Sequence, residues 1–349
     1  MEKVRNIAIF FGGCSPEYSV SLDSAYSVIS GINREKYKPV PVGISRQGDW
    51  FYFKGDAEKI REDKWMQKDC VPACLSLSRS NRCLYIFEKN GVERIPLAGA
   101  FPVLHGKNGE DGTLQGAIEL AGIPLIGCGV LASSLCMDKD RAHKLAAAAG
   151  IPVPKSFVAG RETPKDALYT FGESAGYPLF VKPVRAGSSF GVTKVSCRER
   201  LPAAVGQAFA YDDHVILEEN IEGFEVGCAV MGTDSLTTGQ VDEIELSGDF
   251  FDFEEKYTLK TSAIYVPARI APGKAHEIRE TAKRIYKALG CSGFARVDMF
   301  LTPQGKIYFN EVNTIPGFTQ HSRFPGMMKA AGISFEEILD RIIGEAVRE

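Results

Sequence analysis

Two short runs near the C-terminal end carry the residue types best suited to chemistry: Ala295-Arg296-Val297-Asp298-Met299-Phe300-Leu301 and Ile307-Tyr308-Phe309-Asn310-Glu311-Val312-Asn313. Between them lies Thr302-Pro303-Gln304-Gly305-Lys306, and Pro-x-Gly between β-rich runs is a hairpin signal. With Gln304-Gly305 at the tip, Asp298 falls opposite Glu311 and Arg296 opposite Asn313. Side chains alternate faces with period two, so these four share one face; Phe300 and Phe309 extend it, while Val297 and Val312 point away. Two carboxylates and an amide oxygen suit a hard cation, and the nitrogen or thiolate ligands that zinc wants are missing. Magnesium retains waters and takes one or two carboxylates together with substrate phosphates, and such a cation would relieve the repulsion between the two acids. The plainer alternative is a solvent-facing hairpin with one Arg–Asp pair and an unrelated acid.

Three further segments hold chemistry-bearing residues. In Lys182-Pro183-Val184-Arg185-Ala186-Gly187-Ser188-Ser189-Phe190-Gly191, glycines flanking paired serines let backbone N–H groups and hydroxyls approach a phosphate. No G-x-x-x-x-G-K-[ST] occurs, so this is not a Walker A loop, and a plain strand-connecting turn is the competing reading. Glu218-Glu219-Asn220-Ile221-Glu222-Gly223-Phe224-Glu225 follows the apolar run Val215-Ile216-Leu217. Backbone leaving a strand can bond an adenine edge and an acid can hold ribose hydroxyls, although an acidic surface turn has the same composition. The loop from His105 to Gly112 places a His, a Lys and two acids among three glycines after the apolar run Ala100–Leu104. That is the crevice position at strand carboxyl ends in open α/β sheets.

The elements that must position these groups follow an α/β pattern. Ile7–Phe11 is a continuous apolar run, expected to be a strand buried on both faces. Ser15-Pro16-Glu17 then has the form of an N-cap, a first-turn proline and a first-turn acid, ahead of a helix that stops at Gly31. Val40–Ile44 supplies the next strand, and this spacing suggests a parallel sheet; after the His105–Gly112 loop, Leu114, Ala117, Ile118 and Ala121 fall at helical spacing closed by Gly122, and the first domain is placed at about residues 1–131. Asp138 is expected to cap a helix running through Ala149. Ser334-x-x-Glu337 reads as a capping box opening the last helix.

Composition narrows the function classes. The chain has 349 residues, 44% hydrophobic and 24% charged, with a formal net charge of −3, which is ordinary globular chemistry with several domains and no basic footprint for nucleic acid. Its nine cysteines include no C-x-x-C pair. With no secretory leader after Met1, they are expected to be reduced thiols of a cytoplasmic protein. No apolar run approaches the ~18 residues of a membrane helix.

Taken in order, these segments resemble the ATP-grasp enzymes of the D-alanine–D-alanine ligase family. The matching words are Gly12-Gly13-x-Ser15-x-Glu17, Leu104-His105-Gly106 with Gly109-Glu110-Asp111-Gly112, Met137-Asp138-Lys139, the Lys182–Gly191 loop, Glu254-x-Lys256-Tyr257, Arg296-x-Asp298 and Glu311-x-Asn313-Thr314-x-Pro316-Gly317. Phe101–Lys107, Cys136–Lys144 and His321-Ser322-Arg323 are similar to the VanG-type D-alanine–D-serine ligases of vancomycin resistance. Glu255-Lys256-Tyr257 keeps the pattern of the ordinary ligases rather than of the D-lactate users.

The resemblance implies an N-terminal Rossmann-like domain and two α+β lobes sandwiching ATP, residues 132–222 and 223–349. It implies that Lys139, Lys182 and Lys256 neutralise ATP phosphates and that Glu218, Ile221 and Glu225 hold adenine and ribose. Ser188, Ser189, Phe300 and Phe309 are expected to line the same site. Asp298, Glu311 and Asn313 would hold Mg²⁺ (Mn²⁺ serving in its place), two ions during turnover. Glu17 would pair with the ammonium of the first D-alanine in a network with Ser188 and Tyr257, and His105 would stand beside it. Arg296 and the Gly317 N–H would stabilise the tetrahedral oxyanion, and Ser322 would hold the carboxylate of the second amino acid. Arg323 and Asp242, with Phe251 shaping the wall, are the expected readers of a D-serine hydroxyl. A homodimer is the implied assembly. Rival readings are a housekeeping D-alanine–D-alanine ligase, a non-catalytic sensor on the same fold, and a nicotinamide dehydrogenase. The dehydrogenase is opposed by the lack of a G-x-G-x-x-G after the first strand.

Overall fold

The structure is a computed structural model that describes residues 4–187, 190–246 and 262–348. Three sheets organise the described residues. In the first, Arg5–Gly12 runs parallel to Tyr37–Ile44 on one side and to Gly99–Pro102 on the other. Ile7 to Phe11 are fully buried, as an apolar run covered on both faces requires. The parallel pattern stops at those three strands. Trp50–Phe53, Cys70–Leu75, Cys83–Glu88 and Gly91–Pro96 extend the sheet as an antiparallel meander that sequence periodicity did not signal. Gly91–Pro96 is exposed at nearly every position and so has no apolar alternation to read.

The first helix also begins later than the Ser15-Pro16-Glu17 pattern implies. It spans Tyr18–Gly31 with Glu17 at the N-cap and no side-chain cap. The reason is local competition for one hydroxyl: Ser15 Oγ donates to the His105 carbonyl at 2.7 Å and accepts the Glu17 N–H at 3.2 Å. The serine thereby ties two loops together instead of opening a helix.

The second sheet is antiparallel, in the order Thr193–Val195, Leu179–Pro183, His214–Glu219 and Ser156–Gly160, with its own apolar core around Leu179, Val181, Val215 and Leu217. The third runs Ser262–Tyr265, Asp242–Leu246, Phe224–Met231, Phe294–Leu301 and Ile307–Asn313, with Thr237–Thr238 pairing beside Phe224–Met231. Pro272–Ala288 packs Ile278, Ala282 and Ile285 against it. Helix Lys139–Ala148 is capped as its sequence predicts, Asp138 accepting the Arg141 N–H at 3.0 Å. Likewise Ser334 Oγ accepts the Glu337 N–H at 3.2 Å and opens Phe335–Ala346. Among the described residues no helix is long and apolar enough to cross a membrane.

Candidate functional site

The hairpin forms with Asp298 opposite Glu311 and Arg296 opposite Asn313, the pairing that its sequence predicts. Nearer the tip the register differs. Met299 pairs with Phe309 and Phe300 with Tyr308, because Asn310 is an extra, bulged residue. The bulge turns Phe309 into the core beside Val297 and Met299, where it is fully buried and packs edge-on to His143 at 5.4 Å. Phe309 therefore leaves the face expected for it, while Phe300 stays on the cleft wall. Glu311 and Asn313 keep their side because the bulge absorbs the odd residue.

On that face the charges interlock. Arg296 Nε and Nη2 donate to Asp298 at 2.8 and 2.7 Å, and Asn313 Nδ2 donates to Asp298 Oδ2 at 2.9 Å, so of the Asn313 amide it is the carbonyl oxygen that could face a cation. Arg323 grips Asp242 in bidentate fashion (Nε–Oδ2 2.7 Å, Nη2–Oδ1 2.9 Å), donates to Glu225 at 2.8 Å and lies 3.4 Å from Asp298. Burial alone would lower the affinity of both guanidiniums for their proton. Asp298 beside Arg296, and Asp242 and Asp298 beside Arg323, more than reverse that, and both stay charged. Gly227 makes the arrangement possible: a Cβ there would stand 2.5 Å from both Arg323 Nη2 and Asp242 Oδ1. Sequence reasoning overlooked Gly227, and only its place in the middle of a strand hinted at a close approach.

A cavity of 560 Å³ opens between the second and third sheets. Lys139, Lys182, Glu218, Ile221, Glu225, Phe300 and Glu311 all line it, so residues scattered over the sequence converge on one wall pair. Lys139 Nζ donates to the Ala186 carbonyl at 2.8 Å and lies 3.7 Å from Glu311. Lys182 Nζ donates to Glu218 Oε2 at 2.6 Å. Burial pushes the Glu218 carboxyl upward, but Lys182, then His143 and Lys139, outweigh it and hold the group below the usual range. His143 was not anticipated; its Nε2 meets the Asn310 carbonyl at 2.8 Å and its Nδ1 lies 3.7 Å from Glu218. The bulge that supplies that carbonyl was itself invisible to a period-two reading.

Among the described residues no three His, Cys, Asp or Glu converge as a metal cage. The chain offers two carboxylates and one amide oxygen, a donor set that fits a divalent cation completing its shell from phosphates and water.

The other end of the site gathers the short loops. Glu17 is 7% exposed, and a Cβ on Gly106 or Gly187 would stand 2.5 or 3.2 Å from its Oε2; Gly106 at φ +69° needs glycine, whereas at Gly187 a side chain would only crowd the carboxylate. His105 Nδ1 contacts the Ile315 carbonyl at 2.9 Å, which makes Nδ1 the protonated nitrogen of the neutral ring. Burial holds His105 below the usual imidazole range against the pull of Glu17. Ser322 Oγ accepts the Thr319 N–H at 3.1 Å, and a Cβ on Gly317 would stand 3.0 Å from it, so Gly317 and Ser322 share one corner. Ser188, Ser189, Phe251, Lys256 and Tyr257 lie outside the described residues.

Comparison with known proteins matches residues 6–128 to the D-ala D-ala ligase N-terminus and residues 145–344 to the D-ala D-ala ligase C-terminus. The chain belongs to the D-alanine–D-alanine ligase family. This ligase is 43% identical over 344 residues to the vancomycin C-type resistance protein VanC1 of Enterococcus gallinarum, covering 98% of each chain. It is 41% identical to the D-alanine–D-alanine ligase of Caldicellulosiruptor bescii, over 100% of this chain and 96% of the other. The solved structure of the VanG D-Ala:D-Ser ligase from Enterococcus faecalis superposes with a TM-score of 0.92 at 55% identity, covering 99% of this chain and 100% of that one. The fold is thus that of an ATP-grasp ligase, and the enzyme is an ATP-dependent ligase acting on D-amino acids with a divalent metal.

Proposed function

We propose that this enzyme joins D-alanine to D-serine through a D-alanyl phosphate, giving a peptidoglycan-precursor dipeptide with reduced affinity for vancomycin. The observation that carries the reading is the buried Arg323–Asp242 pair set against Asp298 on the face that holds Arg296, with Gly227 leaving room for it. A prebuilt polar wall beside the second-substrate corner suits an amino acid with a hydroxyl. A site built to bond a hydroxyl rejects the analogue lacking it by about 10⁴-fold or more. The 55% identity to the VanG enzyme supports the same choice.

In this reading Lys139 and Lys182, with Lys256, neutralise the ATP phosphates, while Ile221 and Glu218 hold adenine and Glu225 the ribose. Ser188 and Ser189 complete the phosphate loop. Asp298, Glu311 and Asn313 would hold Mg²⁺, which when bound offsets phosphate charge during γ-phosphoryl transfer to the D-alanine carboxylate. Glu17 holds the ammonium of the first D-alanine, with Tyr257 and His105 around it. Arg296 and the Gly317 N–H stabilise the oxyanion as the second amine attacks, and Ser322 holds the second carboxylate, with Phe251 shaping the wall. A division into lobes at residues 131 and 222, a homodimer and a cytoplasmic location complete the proposal.

The test is competition. Phosphate release is followed with ATP, Mg²⁺ and D-alanine, then with equimolar D-serine added, and the dipeptides are separated. D-alanyl-D-serine should dominate. If D-alanyl-D-alanine remains the main product with both amino acids present, the enzyme is a housekeeping ligase, the reading favoured by its 41% identity to the Caldicellulosiruptor enzyme.

A further inference from the structure

One half-buried acid near the reaction centre has no role in the scheme above. Glu110 sits in the loop that follows His105, and its two carboxyl oxygens face two backbone donors. Oε1 accepts the Ile315 N–H at 3.2 Å and Oε2 accepts the Gly106 N–H at 3.3 Å. His105 Nδ1 donates to the carbonyl of the same Ile315 at 2.9 Å. Both polar groups of one peptide residue in the C-terminal lobe are therefore gripped by a single loop of the N-terminal domain. Three residues later the Phe318 N–H donates to Ser24 Oγ at 3.1 Å, on the helix Tyr18–Gly31. Pro316 and Gly317 lie between these two anchors, so the backbone that carries the Gly317 N–H is held from both sides by the N-terminal domain.

We propose that Glu110 is a positioning residue: acting through Ile315, it fixes the Gly317 N–H at the place where the oxyanion develops. The inference rests on reading that N–H as an oxyanion donor. A donor is effective only when held at the position the oxyanion will occupy, and a rigid peptide costs no reorganisation during the reaction. Ser24 by itself fixes only the downstream end, leaving rotation about the bonds on either side of Pro316–Gly317. Glu110 and His105 fix the upstream end, and they divide the work by polarity: the acid holds the N–H, the imidazole the C=O. The same Glu110 carboxyl braces Gly106, whose missing side chain lets Glu17 approach. The ammonium holder and the oxyanion donor are in this way referenced to one loop.

The experiment compares Glu110→Ala, Glu110→Gln and Gly317→Pro in the full-length enzyme. For each, kcat, the KM for ATP and the inhibition constant of a phosphinic dipeptide analogue are measured in the presence of ATP and Mg²⁺, with thermal unfolding as a check on folding. The tetrahedral P–O⁻ of that inhibitor imitates the oxyanion. Misplacing a reacting group by an ångström costs about 10²-fold, so Glu110→Ala should lower kcat and analogue affinity by about that factor while the KM for ATP stays within about threefold. Glu110→Gln keeps one carbonyl acceptor for Ile315 and should restore about tenfold, the worth of a single hydrogen bond near 1.4 kcal/mol. Gly317→Pro deletes the N–H itself. If it retains analogue affinity, the oxyanion reading has failed whatever Glu110 does. If it loses affinity while a folded Glu110→Ala does not, or if Glu110→Ala lowers only the melting temperature, Glu110 merely supports its loop and the proposal is wrong.

Discussion

Arg323 is the residue on which the specificity and stability of the site meet. It bonds Asp242 and Glu225 and approaches Asp298, and Asp242 and Asp298 are both fully buried. Removing one partner of a buried ion pair leaves the others as uncompensated charge, typically a loss of about 3–5 kcal/mol. Arg323→Leu should therefore unfold at lower urea and lose its preference for D-serine together. A variant destabilised to that extent that still selects D-serine would disconnect the pair from specificity. Glu110 gives a second prediction, read by pH. Burial, and then the neighbouring Glu17, raise its carboxyl from 4.5 to about 8, against the two backbone N–H groups that favour ionisation. The folded protein thus keeps a proton that the unfolded chain releases. Its contribution is whole below pH 4.5, falls as pH climbs towards 8 and is gone beyond. The melting temperature of the native enzyme should decline across that window, and Glu110→Gln, which does not titrate, should flatten the decline. An identical slope in both proteins would place the titration elsewhere.

Two helices with similar caps should respond differently to losing them, because they position different things. Asp138 caps Lys139–Ala148, whose first residue reaches the Ala186 carbonyl and lies beside Glu311 in the cavity between the second and third sheets. Ser334 caps Phe335–Ala346, which buries Ile338, Leu339 and Ile342 and contributes no residue to that cavity. Either cap replaced by Ala should cost about 1 kcal/mol in denaturant unfolding. Asp138→Ala should also raise the KM for ATP, whereas Ser334→Ala should leave it unchanged; equal KM values would show that Lys139 does not depend on its cap. Both caps were legible in the sequence because a cap is a local pattern, and so was the pairing of Asp298 with Glu311, which needs only a turn and a period of two. The Asn310 bulge was not legible, since any one-residue insertion breaks the count without leaving a residue signature. His143, Gly227 and the grip on Ile315 were missed for another reason: each acts across the fold, as when Glu110 meets a residue 205 positions away. The meander of Trp50–Pro96 pairs neighbour with neighbour and is unread for a different reason: strands such as Gly91–Pro96 are exposed on both faces and carry no apolar alternation, unlike Ile7–Phe11.

At the scale of the molecule the apolar cores define how the enzyme comes apart. Phe101 of the first sheet contacts Phe294 and Phe318 at 5.8 and 5.7 Å, and those two contact Phe324, all within one buried cluster that continues through Ile7, Phe11 and Phe335. The first and third sheets therefore share a core, and neither can open without exposing the other. The sheet of Leu179–Pro183 and His214–Glu219 has a separate core and faces the third sheet across the 560 Å³ cavity. Native-state hydrogen exchange should then divide into two units, with the second sheet opening at lower free energy than Phe294–Leu301. A non-hydrolysable ATP analogue with Mg²⁺, at about a hundred times its Kd, bridges that cleft and should raise protection of the second sheet by about 2.7 kcal/mol. Because the ligand touches both walls, protection of Phe294–Leu301 rises only as far as its own opening releases the nucleotide. A single opening free energy for all three sheets without nucleotide would mean that the separate core does not confer independence. The lobe could not then move as a body over bound ATP, and exclusion of water from the acyl phosphate would have to come from the covering loops alone.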